Sequence, residues 1–163
     1  VEHLEEKGYE VLQGKCKFNG RLLGGCLESL YDILTNTRYD NEKDTCEKYG
    51  LFPTLDEWKN KILFIETCEE KPKPEVFEKE LITLKSTGIF DVINGMIIGK
   101  PQDEQYYEEY KEIYHKIIEN KDLPIIYNVN FGHAYPRCII PYGIETEVDL
   151  SRKSITFKES FFE

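Results

Sequence analysis

Glu66 and His133 are the two residues of this sequence whose types and settings best fit acid–base chemistry. Glu66 directly follows the apolar run 62–65, and His133 follows the predicted strand 125–129. A carboxylate beside a histidine fixes the imidazole tautomer and stabilises the imidazolium, which leaves the second ring nitrogen free to act as a general base. Taken singly, each residue also fits a plainer role, as a solvated glutamate or a packed loop histidine. The catalytic interpretation therefore requires both at one place in the fold.

The positions of the other two histidines argue against a metal site. His3 and His115 lie in charged surroundings, where we expect them to be solvated. The chain has no C-x-x-C pair, so the usual zinc-ligand spacing is missing. We therefore predict no metal and no cofactor.

A nucleophile is harder to find. Cys26 lies between a predicted strand and a predicted helix, and a thiol near a helix N-terminus has a lowered pKa. Together with His133 and Glu66 it would complete a Cys-His-Glu set, although a small buried cysteine is the commoner fate of such a residue. The sequence contains no G-x-S-x-G motif, and its serines occupy predicted helix or turn settings. The chain thus offers an acid and a base without a convincing serine.

A repeating strand–helix pattern is expected to position these residues. Strands are predicted at 62–65, 96–98 and 125–129, with helices opening at Pro74 and spanning 103–121 between them. This βαβαβ order predicts a parallel sheet, whose ligands bind outside the carboxyl ends of the strands. Glu66, Lys100 and His133 would share that edge. Lys71 and Lys100 could meet a substrate carboxylate or phosphate there, or simply be solvated.

The flanking segments predict additional structure. Asn19-Gly20 has the composition of a two-residue hairpin turn, and apolar residues from Leu27 to Leu34 follow helical spacing. Residues 36–60 are polar and irregular, apart from a helical turn that opens with the capping-box spacing of Thr54 and Glu57. Alternation over 147–157 predicts an antiparallel hairpin.

Composition narrows the class of protein. The 163 residues suit one domain, and 21 basic against 31 acidic residues give a net charge of −10. Such a charge disfavours nucleic acid and anionic membranes as partners. No apolar run reaches the length of a membrane span, and five cysteines without a paired pattern favour reduced thiols in the cytoplasm. Because the chain starts at Val1 rather than Met, we expect a piece of a longer protein or a processed chain.

Four ordered motifs resemble one known family. They are GRLLGGCL at 20–27, ILFIET at 62–67, GMIIGKP at 95–101 and NVNFGH at 128–133. Together they resemble the C-terminal domain of the serine-type LD-carboxypeptidases, a family that includes the microcin C immunity peptidases. The resemblance covers residues 10 to 158.

The resemblance implies a fold and an activity. The fold is α/β: a domain of the swivelling β/β/α type, with a small parallel βαβαβ core and antiparallel hairpins. Residues 1–163 would be the C-terminal domain of a two-domain peptidase, contributing Glu66 and His133 to a Ser-Glu-His triad whose serine belongs to an N-terminal domain. The implied substrates are murein L,D-peptides or microcin C-like peptidyl-nucleotides, and the segment before Trp58 favours the second. The resemblance also implies a homodimer, and an isolated domain without activity.

One position departs from the family pattern. Where many members have Gly-Gly-Asn, this chain has Cys26 after Gly25. A thiol forms weaker hydrogen bonds than an amide, so of the substrate contacts expected at Gly25 and Cys26, the one through the Cys26 side chain should be weaker than that of the family asparagine. Two alternatives remain open: a cysteine hydrolase that uses Cys26, and a non-catalytic module that binds a ligand or partner on the same edge.

Overall fold

The structure, a computed structural model, describes residues 7–14 and 16–160 of the chain. The strands found within these residues are β1 Glu10–Gln13, β2 Lys17–Cys26, β3 Lys61–Glu66, β4 Gly95–Gly99, β5 Ile125–Val129, β6 Glu145–Asp149 and β7 Ser154–Phe157. The α-helices are α1 Leu27–Thr35, α2 Glu42–Tyr49, α3 Leu55–Trp58, α4 Pro74–Ser86 and α5 Tyr107–Ile117.

All seven of these strands form one sheet in the order β1-β5-β4-β3-β2-β6-β7. Neighbours from β2 to β5 pair in parallel, whereas β1, β6 and β7 join by antiparallel pairing. The expected class, α/β with a parallel βαβαβ core, is therefore confirmed. The parallel part holds one more strand than expected, because β2 pairs along β3.

Hydrophobic side chains cover both faces of the central strands. Every residue of β4 and β5 is buried, as expected for parallel strands with apolar layers on both faces. On one face α4 and α5 pack, with the ring of Phe77 stacked on Tyr110 at 4.1 Å between centroids. On the other face Phe18, Phe64 and Phe131 belong to a second cluster. Full burial of one such side chain contributes roughly 1.5–3 kcal/mol.

The hairpin predicted at Asn19-Gly20 is wrong. Both residues lie inside the ten-residue strand β2, paired with Glu147 and Thr146 of β6. Gly20 is needed here for close approach rather than for a turn, because a Cβ at this position would collide with the carbonyl oxygen of Asn60. Strand β2 changes partner at Arg21, which pairs with β6 on one side and β3 on the other.

Two helix predictions also need correction. Residues 36–60 contain α2, which was missed because only Cys46 of this charged helix is buried and no apolar stripe marks it. The helix expected over 103–121 is shorter, since Tyr106 has a left-handed backbone at its start and Ile118 is already extended at its end. The capping box of Thr54 and Glu57 and the hairpin of β6 with β7 are confirmed.

Candidate functional site

Glu66 ends β3 as a buried carboxylate. Its side chain is 7% exposed, and its Cα lies in register with that of Cys26 at the end of β2. Two glycines leave room for it: a Cβ at Gly99 would come within 2.6 Å of the Glu66 Cβ, and one at Gly132 within 2.6 Å of the Glu66 Cγ. The chain thus encloses this carboxylate with residues that have no side chain.

His133 contacts Glu66 through both its backbone and its ring. The backbone N–H of His133 donates to Glu66 Oε2 at 3.1 Å, and Nδ1 lies 2.9 Å from Oε2 and 3.1 Å from Oε1. The hydrogen bond with Glu66 raises the pKa of His133 above its ordinary value. Burial raises the pKa of Glu66, although the bonds with His133 act in the opposite direction. The arrangement holds Nδ1 as the protonated nitrogen and turns Nε2 outward.

Sheet order and one short loop bring the two residues together. Glu66 ends β3, and β5, which leads to His133, lies one strand beyond β4 in the same sheet. The loop after β5 is fixed by hydrogen bonds from the Phe131 N–H to Val129 O at 2.8 Å and from the Cys138 N–H to Asn130 O at 2.7 Å. Phe131 also packs edge-on against Phe64 of β3. The parallel strands therefore place the Glu66 carboxylate and the His133 imidazole at the same edge of the sheet, where the strands end.

A third carboxylate contacts the outer ring nitrogen. Glu69 Oε2 lies 3.2 Å from His133 Nε2, and the Glu69 side chain is 64% exposed. His133 itself is 38% exposed, so solvent reaches this side of the ring. Both nitrogens of the imidazole thus have a carboxylate partner.

Cys26 is at the same edge, but its thiol is not activated. Cys26 caps α1, and its Sγ donates to Glu28 Oε2 at 3.0 Å. Burial and the Glu28 carboxylate raise the pKa of Cys26 to about 12. The lowered pKa expected from the helix N-terminus is therefore wrong, because desolvation and a neighbouring negative charge outweigh the helix dipole.

The other predicted binding residues have distinct surroundings. The Gly25 Cα faces the Tyr142 hydroxyl, which donates to the carbonyl of Gly24 at 2.9 Å. Lys71 forms an ion pair with Asp103 and lies in the loop that follows β3. Lys100 directly follows β4 and is 4% exposed, so the solvated alternative is wrong for Lys100. Their role in binding substrate stays a prediction.

The remaining expectations concern residues away from this edge. His115 is exposed on α5, and His3 lies outside the described residues. Within residues 7–14 and 16–160, no group of three or more His, Cys, Asp or Glu side chains is arranged to hold a metal ion. In the same part of the chain, no helix is long and apolar enough to cross a membrane.

Sequence reasoning missed several residues of this site. Glu69 lies in a charged segment, Glu28 lies among the apolar residues of α1, and neither residue type by itself differs from a solvated side chain. Gly132 and Tyr142 act through close approach, which depends on the fold. Only the position of Glu69, three residues after Glu66, offered a signal.

Comparison with known proteins places the chain in a family. Residues 19–148 match the model of the LD-carboxypeptidase C-terminal domain. A Treponema pallidum protein named "Putative carboxypeptidase" is 29% identical over 95% of this chain and 41% of its own length.

Solved structures agree with this match. An MccF-like protein from Streptococcus pneumoniae in complex with AMP superposes with a TM-score of 0.90 and 53% identity, over 94% of this chain and 44% of that one. MccF in complex with glutamyl sulfamoyl guanosine has the same fold, with a TM-score of 0.73 and 22% identity over 98% of this chain and 43% of that one. The chain spans less than half the length of these proteins, and it belongs to the family of LD-carboxypeptidase C-terminal domains.

Proposed function

We propose that this chain supplies the glutamate and histidine of a Ser-Glu-His triad in a serine-type carboxypeptidase. The observation that carries the proposal is the bond between His133 Nδ1 and the buried carboxylate of Glu66, with Nε2 directed to the exposed side. A histidine held in this way can take a proton at Nε2 while the carboxylate stabilises the imidazolium. The serine would come from a part of the longer protein outside this chain.

The steps follow from these two side chains. His133 Nε2 removes the proton of the serine hydroxyl as the oxygen attacks the amide carbonyl. It then gives that proton to the departing amine, and repeats the cycle with water to release the acid. Glu66 keeps Nδ1 protonated throughout, so that Nε2 is the nitrogen that exchanges the proton. This chain alone is expected to have no activity.

The proposed substrate is an amide linkage near a free carboxylate, in a microcin C-like peptidyl-nucleotide or a murein L,D-peptide. The toxin-type linkage is favoured, and support comes from the 53% identity with the MccF-like protein that was solved with AMP. The pKa of about 12 at Cys26 argues against the alternative of a cysteine hydrolase. We also propose that the full-length protein is cytoplasmic and forms a homodimer.

Substitution in the full-length protein tests the proposal. His133→Ala and Glu66→Ala should each lower kcat by about 10³- to 10⁴-fold on an aminoacyl-sulfamoyl adenosine substrate. His115→Ala, which removes an exposed histidine of α5, should leave kcat unchanged. Wild-type rates for both site variants would favour the non-catalytic binding module. Turnover by this chain alone that disappears in Cys26→Ala would instead favour the cysteine hydrolase.

A further inference from the structure

Glu69 contacts the ring nitrogen of His133 that the proposed reaction needs as its base. Its Oε2 lies 3.2 Å from His133 Nε2, whereas Glu66 engages the opposite nitrogen. A serine hydroxyl acting on the same histidine would have to lie within hydrogen-bond distance of Nε2. Glu69 and that hydroxyl therefore compete for one atom.

The loop that carries Glu69 is held at both ends. On one side, the Cys68 N–H donates to Glu28 Oε1 at 3.0 Å. On the other, Lys71 has a left-handed backbone and pairs with Asp103. Between these two contacts the Glu69 side chain is 64% exposed, and its ion pair is the one with His133. The backbone thus keeps the carboxylate within reach of the imidazole, while the side chain can leave it.

The contact favours one charge state of the imidazole. Glu69 accepts a hydrogen bond from Nε2 only when that nitrogen carries a proton, and Glu66 already holds the proton on Nδ1. The two carboxylates together stabilise the doubly protonated ring, which cannot act as a base. Loss of the Nε2 proton removes the donor, so the contact with Glu69 weakens as the base becomes active.

Building on the proposed triad, we infer that Glu69 is a positioning residue that holds His133 in its protonated form and yields Nε2 to the nucleophile. Glu69 thereby sets the pH at which His133 becomes available as a base. Its contact at the site is with His133 Nε2, so it acts on the reaction through the imidazole rather than through the substrate.

Other charged groups face the same imidazole. Glu66 approaches from β3, Glu69 from the loop after β3 and Glu28 from α1, and all three favour the imidazolium. Arg137, in the same loop as His133, donates to the Gly132 carbonyl. Glu69 is the exposed member of the three carboxylates, so it can be changed with little disturbance of the bond between His133 and the buried Glu66.

A histidine titration on this chain tests the contact directly. We would follow the imidazole Cε1–H signal of His133 by NMR in a background with His3→Gln and His115→Gln, which leaves one histidine. Glu69→Gln should lower the pKa of His133, because a negative charge next to Nε2 is lost. Glu70→Gln removes a charge from the adjacent exposed residue and should leave the titration of His133 close to that of the parent. An unchanged titration in Glu69→Gln would overturn the inference.

Kinetics in the full-length protein give a second readout. Glu69→Gln should raise kcat/KM by about two- to fivefold on the acid side of the pH profile, the range expected for one exposed ion pair, and change it little at alkaline pH. Glu69→Asp should keep the wild-type profile more closely. A uniform loss across the whole pH range would mean that Glu69 merely supports the loop, and would overturn the inference.

The two tests separate this inference from the proposed triad. If His133→Ala remains fully active, the triad falls, while the titration still reports whether Glu69 acts on the imidazole. If the titration of His133 does not change in Glu69→Gln, the inference about Glu69 is wrong. The triad is then still tested separately, by the kcat values of His133→Ala and Glu66→Ala.

Discussion

Gly132 lies directly against the carboxylate of Glu66. A Cβ at Gly132 would stand 2.6 Å from the Glu66 Cγ, and the backbone of Gly132 has a φ of +91°. The residue that follows is His133, so the left-handed backbone, which glycine adopts without strain, and the absent side chain together set the position of the imidazole. Close packing at this glycine is therefore a condition for the bond between Glu66 and His133.

Gly132→Ala should be destabilising and should disturb the site. The left-handed backbone disfavours alanine, and the added methyl group must displace Glu66, so we expect a loss of about 2–4 kcal/mol in the free energy of unfolding. Gly143→Ala is the matched control: Gly143 has a φ of +73° but no atom within 4 Å of its Cβ position. It should lose only about 1–2 kcal/mol in urea denaturation. Equal losses for the two variants would show that Gly132 makes no close contact with Glu66.

Glu66→Gln should lower the pKa of His133. The Glu66 carboxylate is the main cause that raises this pKa, and glutamine keeps the shape of the side chain without its charge. A histidine with a raised pKa contributes stability that is full below its unfolded pKa and is lost as the pH rises through its folded pKa. The variant should therefore lose more stability at pH 6 than at pH 9.

Parallel measurements check this expectation. Urea denaturation at the two pH values gives the stability difference, and the NMR titration of His133 gives the pKa. A loss of stability that is the same at pH 6 and pH 9 would contradict an ionic bond between Glu66 and His133.

Cys26→Ala should leave the full-length enzyme active. With a pKa of about 12, only about one Cys26 thiol in 10⁵ is ionised at pH 7, which is far too few for a nucleophile. We expect kcat within about threefold of wild type, with a small change in KM if this edge contacts substrate. Alkylation by iodoacetamide, followed by mass spectrometry, should label the exposed Cys16 before Cys26. Rapid alkylation of Cys26, together with loss of activity in Cys26→Ala, would instead support the alternative of a cysteine hydrolase.

Glu80→Gln should stabilise the domain at alkaline pH. Glu80 is a buried residue of α4 close to the negative charges of Glu28 and Asp32 on α1, and burial is the main cause that raises its pKa to about 7. Because the folded pKa exceeds the unfolded one, the stability from the protonated form is present below about pH 4.5 and is lost as the pH rises through 7.

The expected gain from Glu80→Gln is about 1–3 kcal/mol at pH 8.5 and close to zero at pH 4.5. Urea denaturation at both pH values measures it. Glu75→Gln, which changes an exposed glutamate in the first turn of the same helix, serves as the control and should show no comparable pH dependence. A gain that does not vary with pH would count against ionisation of Glu80 in the folded protein.

The central architecture was predictable because its signals are local. Continuous apolar runs predicted β3 and β4, and the break at Leu123-Pro124 marked the start of β5. Pro74 and Gly88 marked the two ends of the helix between β3 and β4. The rule that parallel strands present their carboxyl ends at one edge then predicted that Glu66 and His133 would be close. Each strand or helix was predicted from the residues of one segment. The closeness of Glu66 and His133 needed, in addition, only the direction of the strands.

The missed features depend on neighbours that are distant in sequence. Asn19-Gly20 has turn composition, but pairing with β6 and the close carbonyl of Asn60 determine its extended structure. The pKa of Cys26 depends mainly on burial by the folded chain, and secondly on the side-chain direction of Glu28, which is near in sequence but whose orientation the spacing does not show. The contact of Glu69 with His133 likewise joins two loops that follow different strands.

The change of partner along β2 has a consequence for how the chain folds. The first half of β2 joins β6, and Lys17 contacts Glu147 across 130 positions of sequence. The second half of β2 pairs with β3, which is much nearer along the chain. During synthesis β2, β3, β4 and β5 can assemble as soon as residue 129 has emerged, whereas β6 must arrive later. Closure of so long a loop raises the contact order and slows folding, so attachment of β6 and β7 is expected to be the last step.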